Sequence, residues 1–317
     1  MEQESGRRTI RVTAGSAPVR LDVFLAQHVP DCSRRTAQRA IAAGEVRING
    51  RLARKGALVR AEDLIHVADA LYAPPLLQPN PRLALRVLYE DDAMIAVDKP
   101  AGMPSQALRM HERETVANFL LARHPEVAAL EQGGREAGLV HRLDIDTSGV
   151  LLAARTPAAY RSLRQQFSRH QVGKEYVALV EGVVHATGVV DTPIAHDRRN
   201  PSRMRITAPD DPHGRPAVTH FRPEERHDNW TLLRVRILTG VMHQIRVHLA
   251  SIGHPIVGDR VYGTSAVRAP RQCLHAASLA VIHPTSGATV EIRSPLPADF
   301  AGVLHGRRRA KRAVAHG

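Results

Sequence analysis

Residues 138–156 read GLVHRLDIDTSGVLLAART and place a polar segment between two apolar ones. Leu139-Val140 and the run at 150–154 are typical of buried β-strand, whereas the residues between them include two aspartates, an arginine and a histidine. Ionised side chains are costly to bury unless they are paired or used. Such a conflict between local pattern and apparent placement is typical of functional sites, so this segment is the first candidate site.

The two aspartates of this segment, Asp144 and Asp146, allow several interpretations. They could belong to a metal site, to an acid/base pair or to a nucleophile, but no clear third metal ligand lies nearby. A structural turn is the alternative, with Asp146, Thr147 and Ser148 bonding their own backbone before Gly149. The turn is the favoured interpretation for residues 146–149, whereas catalysis and structure both remain open for Asp144.

Composition limits the class of protein. The chain has 317 residues, 43% of them hydrophobic, and a formal net charge of +13, so a globular protein with an anionic partner is expected. Nucleic acid is the first candidate for that partner and an anionic membrane surface the second. The aromatic content of 3% argues against extensive stacking of bases on aromatic side chains.

Targeting and metal signals are weak. No apolar run approaches the roughly 18 residues that span a bilayer, and the N-terminus has no apolar signal core. Cys32 and Cys273 are too few for a disulfide framework and lack zinc-site spacing. The sequence therefore predicts a reduced, cytoplasmic protein without a structural metal.

The distribution of apolar residues and prolines predicts the domain organisation. We expect an N-terminal extension at 1–17, a small α/β module at 18–70, a Pro-rich linker at 71–83, a main domain at 84–304 and a basic disordered tail at 305–317. Strands outnumber helices in the main domain. This pattern predicts an α+β fold around an antiparallel or mixed β-sheet.

Local signals place several elements within this organisation. Ser33 and Gly44 are a plausible start and stop for a basic helix at 34–43, and Asn49-Gly50 predicts a tight hairpin. In the main domain, Thr156-Pro157 opens a second helix. The segment HQIRVHLASIG predicts a third, with Ile245, Leu249 and Ile252 on its buried face.

The basic module is a candidate nucleic-acid interface, because arginine matches the geometry of phosphate groups. A solvated helix face is the structural alternative. The order LDVFLA…CSRRTAQRAIAAGEVRINGR…LVRAEDLIHV resembles the small RNA-binding domain first described in the fourth protein of the small ribosomal subunit. This resemblance covers most of residues 18–68 and implies RNA binding, for which the candidates are Arg34, Arg35, Arg39, Arg47, Asn49 and Arg51.

The stretch HRLDIDTSGVLLAART resembles the signature of the RluA-type pseudouridine synthases. Further segments resemble the same family in the same order: LYEDDAMIAVDKPAGMPSQ, GKEYVALVEG, GRPAVTHFRPEER, HQIRVHLASIGHPIVGDRVYG and LHAASLAVIHPTSG. The resemblance spans about residues 84–300. It implies the pseudouridine synthase fold, an α+β fold around a mixed, mainly antiparallel β-sheet with flanking helices. It also implies an isomerisation that detaches uracil from its ribose and rejoins it through carbon five, without a cofactor.

The resemblance also assigns roles to residues. It implies that Asp144 is catalytic, either as a nucleophile or as a base, that Arg246 pairs with it and that Tyr176 stacks on the target base. Supporting positions follow from the same motifs: His141, Arg142, Leu143, Lys174, His243 and Gln244. Lys174 is expected to contact a phosphate or a carboxylate, and one of His141 and Arg142 to fix the loop while the other touches RNA. His243 and Gln244 are expected to bind either backbone or RNA.

One position departs from the family pattern. Val241, in TGVMHQIR, stands where members usually carry a basic residue, which removes a positive contact to RNA or to the active-site loop. The resemblance implies large-subunit ribosomal RNA as the substrate, either free or within the assembling subunit, and the protein is expected to be a monomer. Transfer RNA is the alternative substrate, a non-catalytic RNA-binding assembly factor the alternative class, and a membrane-surface role a distant third.

Overall fold

The computed structural model describes residues 6–13, 17–30, 32–71, 77–107, 112–130, 136–200, 202–264 and 269–314, without the side chains after 307. The chain divides into two compact units between residues 76 and 77. This boundary lies in the predicted linker, of which residues 72–76 are outside the described part. The linker prediction extends too far, because Leu77 is buried in the core of the C-terminal unit and the Asn118 amide donates to the Gln78 carbonyl.

The N-terminal unit is a small α/β domain, and it begins before the predicted boundary at 18, because Arg7–Arg11 pairs with Leu64–Ala68 in its sheet and Val12 lies in its core. Its elements are β1 (Arg7–Arg11), β2 (Val19–Arg20), α1 (Leu21–His28), α2 (Arg34–Ala42), β3 (Val46–Ile48), β4 (Arg51–Leu52), β5 (Leu58–Val59), β6 (Leu64–Ala68) and a 3-10 turn at Asp69–Leu71. Strands pair in the order β1-β6-β3-β4, and β2 pairs with β5. Leu21, Leu25, Ile41 and Ile65 lie in its buried core, so helices and sheet share one apolar interior.

The basic helix and the hairpin of this unit confirm the local predictions. The Ser33 hydroxyl accepts a hydrogen bond from the Thr36 amide at 3.1 Å and caps the start of α2. Between β3 and β4, Asn49 has φ +49° and Gly50 has φ +80°. Two consecutive residues with positive φ form the tight turn that matches the twist of paired strands.

The C-terminal unit contains eleven strands and four helices. The strands are β7 (Arg86–Glu90), β8 (Met94–Lys99), β9 (Ser148–Ala154), β10 (Gly173–Glu181), β11 (Gly188–Asp191), β12 (Ile194–His196), β13 (Met204–Ile206), β14 (Val218–Arg226), β15 (Trp230–Ile237), β16 (Leu274–Ile282) and β17 (Thr289–Arg293). The helices are α3 (Val116–Arg123), α4 (Pro157–Ser168), α5 (Gln244–Ser251) and α6 (Ala298–Val314), and a 3-10 segment spans Pro125–Ala129. These counts refer to the described residues.

One large sheet organises this unit, with the order β11-β14-β15-β10-β16-β9-β8-β7 and β17 beside β16. Strands β9 and β16 pair in parallel, whereas all other neighbouring strands of this sheet pair antiparallel. Alternate residues of β8 enter two apolar clusters: Ile95 and Val97 lie with residues of α3, α5 and α6, and Met94 and Ala96 lie with residues of α4. The predicted α+β fold around a mixed, mainly antiparallel sheet is confirmed.

Gly149 is required where β9 meets β16. Its φ is +116°, and an added Cβ would lie 2.1 Å from the Ala276 carbonyl oxygen. Gly149→Ala is therefore expected to lower the free energy of unfolding by about 3 kcal/mol or more, through strain and overpacking together. Chemical denaturation measures this loss. Gly287→Ala is the control, because Gly287 also has positive φ but no neighbour within 4 Å, and a loss as large there would refute the close-approach explanation.

Three predictions of local structure need correction. Leu139 forms an isolated bridge with Ala153 and belongs to no strand. Helix α6 continues to Val314, beyond the predicted boundary at 304, and its buried Phe300 and Leu304 anchor it to the core. Ile252 lies after α5 and is 39% exposed, because the helix ends at Ser251. None of the helices among the described residues has the length and apolar character needed to cross a membrane.

Candidate active site

The segment 139–147 is a loop that folds back on β9. The Val140 amide donates to the Leu152 carbonyl at 3.2 Å, so the two apolar segments pair with each other around the polar residues. The Thr147 amide donates to the Asp144 carbonyl at 3.1 Å, so the turn spans 144–147 and lies earlier than the predicted 146–149, where β9 has already begun at Ser148. The side chains of Thr147 and Ser148 do not close that turn. Instead, the Thr147 hydroxyl bonds to Gln272, and the Ser148 hydroxyl bonds to His275 and Arg271.

Buried groups from β8 and the following loop hold this turn. The Ser105 hydroxyl donates to the Leu143 carbonyl at 2.9 Å and accepts from the Leu143 amide at 3.0 Å. The Lys99 ammonium, fully buried, donates to three carbonyls, and that of Ile145 is 2.8 Å away. Burial lowers the pKa of Lys99 to about 7, against the opposing charges of Asp144 and Asp146. Asp144 is thus fixed between two restrained neighbours.

Helix α5 brings Arg246 to this loop. Its Nη1 donates to the Asp144 Oδ2 at 2.8 Å, while its Nε and Nη2 donate to the two carboxylate oxygens of Asp259 at 2.7 and 3.0 Å. Burial would raise the pKa of Asp259, but the bonds and charge of Arg246 and two backbone amides hold it below its usual value. One guanidinium therefore joins the loop carboxylate to a second, fully buried carboxylate.

Tyr176 and His243 complete a cleft of about 70 Å³ around Asp144. Burial, with a smaller contribution from the Asp144 charge, raises the pKa of the Tyr176 phenol well above its usual value, so the phenol stays neutral. His243 lies with its Nε2 3.9 Å from the Asp144 Oδ2, and its Nδ1 is 3.0 Å from the Tyr262 hydroxyl. Burial lowers the pKa of His243 although Asp144 opposes this shift. The cleft therefore combines an anionic oxygen, a buried cation and an uncharged phenol.

Three predicted supporting residues have structural partners. His141 Nε2 accepts from the Leu152 amide at 3.0 Å, so this residue fixes the loop, while Arg142 is exposed beside it. Lys174 Nζ donates to the carbonyls of Leu238 and Thr239 and contacts no carboxylate among the described residues, contrary to that part of the prediction. The Gln244 amide is buried and bonded at both ends to its own unit, which argues against a contact with RNA.

The candidate RNA-binding residues of the N-terminal unit fall into two groups. Those engaged within the unit are Arg34, which donates to Asp22, Arg47, which donates to the Gly50 carbonyl, and Asn49, which bonds to Asp63 and Leu64. Asn49 therefore stabilises the turn through its side chain, and its contact with RNA stays a prediction. Arg35, Arg39 and Arg51 are exposed, and no carboxylate of the described residues pairs with them.

A mixed sheet that presents a carboxylate, a guanidinium and a phenol in one cleft, with a basic helix and hairpin on a separate unit, has the features of an enzyme that acts on RNA. Two family models agree with this class. The model of RNA pseudouridylate synthases matches residues 93–251, and the S4 domain model matches residues 19–65. The chain belongs to the RNA pseudouridylate synthase family, and it is an isomerase that forms pseudouridine.

Individual relatives cover nearly the whole chain. An "Uncharacterized RNA pseudouridine synthase" of Chloroflexus aurantiacus is 42% identical over 99% of this chain and 97% of its own length. A "Ribosomal large subunit pseudouridine synthase D" of Xanthomonas campestris pv. campestris is 37% identical over 96% and 94%. The structure of "Human RNA Pseudouridylate Synthase Domain Containing 1" is 27% identical, covers 69% of this chain and 86% of its own, and has a TM-score of 0.55.

Sequence reasoning gave no role to several residues that support Asp144. Asp259 and Tyr262 lie in GDRVYG, and Lys99 and Ser105 lie in the segment around KPAG. Both segments were matched to the family, but the residues were not assigned. For Asp259 and Lys99, the signal that could have indicated a role was a charged residue inside a segment that resembles the family. Tyr262 also lies with its ring centroid 5.2 Å from the Arg246 guanidinium carbon, so it packs against the shared cation.

Proposed function

We propose that this enzyme converts specific uridines of large-subunit ribosomal RNA to pseudouridine, with Asp144 as the catalytic carboxylate. The observation that carries the site assignment is the 2.8 Å bond between Arg246 and Asp144 within a cleft that Tyr176 also lines. The printed names of several relatives support the choice of RNA, since they specify the large ribosomal subunit. No observation on this chain favours transfer RNA, and its monomeric state and cytoplasmic location stay predictions.

The geometry suits a reaction that stays within one nucleotide. The bond between ribose and the uracil nitrogen breaks, the base turns, and a new bond joins the ribose to carbon five, which loses its proton while the nitrogen gains one. Asp144, beside a permanent cation, can attack the substrate or remove a proton from the sugar. Arg246 restrains the carboxylate, and the neutral Tyr176 offers an aromatic face or a proton donor. Both routes remain compatible with this arrangement.

Access to this cleft requires the target base to leave its stack, which costs a few kcal/mol. Basic residues that hold the surrounding phosphates offset this cost, and loops or bulges of RNA reduce it. Within the N-terminal unit, the exposed Arg35, Arg39 and Arg51 are the proposed contacts to RNA phosphates.

Changing Arg35 and Arg39 together to alanine is expected to weaken RNA binding and to flatten its dependence on salt. Each lost phosphate contact lowers the slope of log K against log salt by about 0.7–0.9, so the pair should lower it by about 1.5. Titrations with large-subunit ribosomal RNA at several salt concentrations measure the slope. Arg8→Ala is the control, because Arg8 pairs with Asp69 at 3.2 Å. An unchanged slope in the double variant would show that α2 does not contact RNA.

The substrate assignment can be tested by release of tritium. RNA transcripts labelled with tritium at carbon five of uridine lose the label when the new bond forms, because that carbon gives up its hydrogen. The purified chain is expected to release tritium from the large-subunit transcript and not from small-subunit or transfer RNA. Release from transfer RNA alone would overturn the proposed substrate while leaving the enzyme class intact.

A further inference from the structure

A second and larger cavity adjoins the Asp144 cleft within the C-terminal unit. Its volume is about 660 Å³, in the range of sites that hold small organic ligands, whereas the cleft itself measures about 70 Å³. The end of α4, β10 and the segments 214–216 and 237–241 surround it. The two spaces share five residues: Arg142, Tyr176, Ile237, Gly240 and Val241. A ligand in the larger cavity would therefore lie next to the reacting base.

Lys174 places an uncompensated positive charge in the wall of this cavity. It is only 6% exposed, and its ammonium donates to the Leu238 and Thr239 carbonyls at 3.2 and 2.7 Å, which leaves one N–H for a ligand. No carboxylate of the described residues pairs with it, and burial lowers its pKa to about 8. Because a buried charge without a counterion is costly, an anion that enters the cavity would relieve this cost.

Further cations line the same space. Arg142 and Arg215 are exposed and have no carboxylate partner in the described part of the chain, while Arg164 donates to the Val140 carbonyl at 3.1 Å. Glu136 is the single acidic residue among the lining residues. The excess of positive charge selects for an anionic ligand.

The remaining wall of the cavity is apolar. Phe167 stacks on His141 with ring centroids 4.8 Å apart, and Pro216 and Ile237 lie in the same lining. Val241 is 8% exposed and packs with the small apolar cluster that includes Ile194 and Met204. The position that usually carries a basic residue in this family is thus part of the apolar wall. A bare phosphate would not need such a wall, whereas a nucleobase would.

We propose that this cavity binds the nucleotide next to the target uridine in the RNA strand, with its phosphate near Lys174, Arg142 and Arg215 and its base against the apolar wall. The proposal rests on the proposed function, because the neighbouring nucleotide is defined by the uridine at Asp144. The cavity would then be a second nucleotide subsite, through which the enzyme recognises the nucleotide adjacent to its target uridine.

Phosphate-ethylation interference tests this assignment with the full chain. A large-subunit ribosomal RNA transcript is ethylated at random phosphates, the molecules bound by wild type, Arg215→Ala or Lys174→Met are separated, and the blocked positions are mapped. For wild type, ethylation of a phosphate flanking the target uridine is expected to reduce binding about tenfold, as for the loss of a hydrogen bond to a charged group. In both variants this position should lose its effect, while interference at distant phosphates persists.

Arg236→Ala is the matched control, because Arg236 is an exposed arginine on β15 beside Ile237, which lines the cavity. Successive side chains of a strand point to opposite faces of the sheet, so Arg236 points away from the cavity. It should retain the wild-type map. Equal interference beside the target uridine in wild type and Arg215→Ala would overturn the proposed subsite. Arg215→Ala is suited to this test because Arg215 is exposed, so its substitution is not expected to disturb folding. Uridine conversion by wild type is measured on the same transcript. If the uridine is converted but the predicted interference is absent, the proposed subsite alone is contradicted. If the RNA is bound but no uridine is converted, the proposed function is contradicted.

Discussion

Asp144→Asn should abolish turnover, with a fall in the rate on the order of 10⁴-fold or more, while RNA affinity stays within a few-fold of wild type. Asparagine keeps an oxygen that can accept the bond from Arg246 Nη1, which is 2.8 Å from Asp144 Oδ2 in the native chain. It lacks the charged oxygen that can attack the substrate or accept a proton. Tritium release under single-turnover conditions measures the rate, and a filter-binding titration measures the affinity.

Asp146→Asn is the matched control for this prediction. Asp146 lies in the same turn two residues later, and its backbone carbonyl, rather than its carboxylate, accepts a bond from Arg271 at 3.2 Å. Its substitution should change the rate by no more than about threefold, because the half-buried Asp146 does not line the cleft around Asp144. Normal turnover in Asp144→Asn, or equal losses in both variants, would refute the assigned role of Asp144.

Arg246→Met should lower the free energy of unfolding by about 3–5 kcal/mol and also reduce turnover severely. The variant leaves the Asp259 carboxylate, which is fully buried, without its cation, and breaking a buried pair costs this much because an uncompensated charge remains. Arg246→Lys should recover only part of the loss, since one ammonium cannot reproduce the three bonds of the guanidinium. Chemical denaturation measures both variants.

The control for this effect is Arg234→Met, because Arg234 pairs with Glu175 and Glu224 near the surface and should contribute about 1 kcal/mol or less. The pH dependence gives a second check. Since the pKa of Asp259 is lowered in the folded state, its pairing stabilises the fold above the ordinary carboxylate pKa of about 4 and is lost in more acidic solution. In Arg246→Met, burial without the cation raises the pKa of Asp259 above this ordinary value, so the variant relieves its buried charge by protonation. The difference in stability between wild type and Arg246→Met should therefore shrink as the pH falls, beginning above about pH 4. A constant difference would contradict this explanation.

Local sequence signals predicted several elements of the fold correctly. The Ser33 cap and the Asn49-Gly50 turn depend on contacts within a few residues, so their patterns were sufficient. The apolar pair Leu139-Val140 was misjudged, because a short apolar run does not distinguish a strand from a segment with a single bridge. The basic run after 304 suggested disorder, but its alanines and arginines have high helix propensity and extend a helix already anchored by Phe300.

The site required information beyond local pattern. Asp144 and Arg246 are 102 residues apart in sequence, and the resemblance to a family, rather than any local pattern, predicts their pairing. Asp259, Lys99 and Ser105 act through long-range hydrogen bonds to Arg246 or to the 143–145 backbone, and their residue types alone indicate no partner. For Gln244 the resemblance left backbone and RNA as alternative partners, and the structure shows its amide bonded to the backbone of Val241 and Val218.

The most direct test of the account is a map of pseudouridines across all cellular RNA in a strain that lacks this gene, complemented with wild type or with Asp144→Ala. We expect specific uridines of large-subunit ribosomal RNA to lose modification and only the wild type to restore them. If no site changes, or if Asp144→Ala restores the sites as well as wild type does, the proposed catalytic role of Asp144 in ribosomal RNA modification is contradicted.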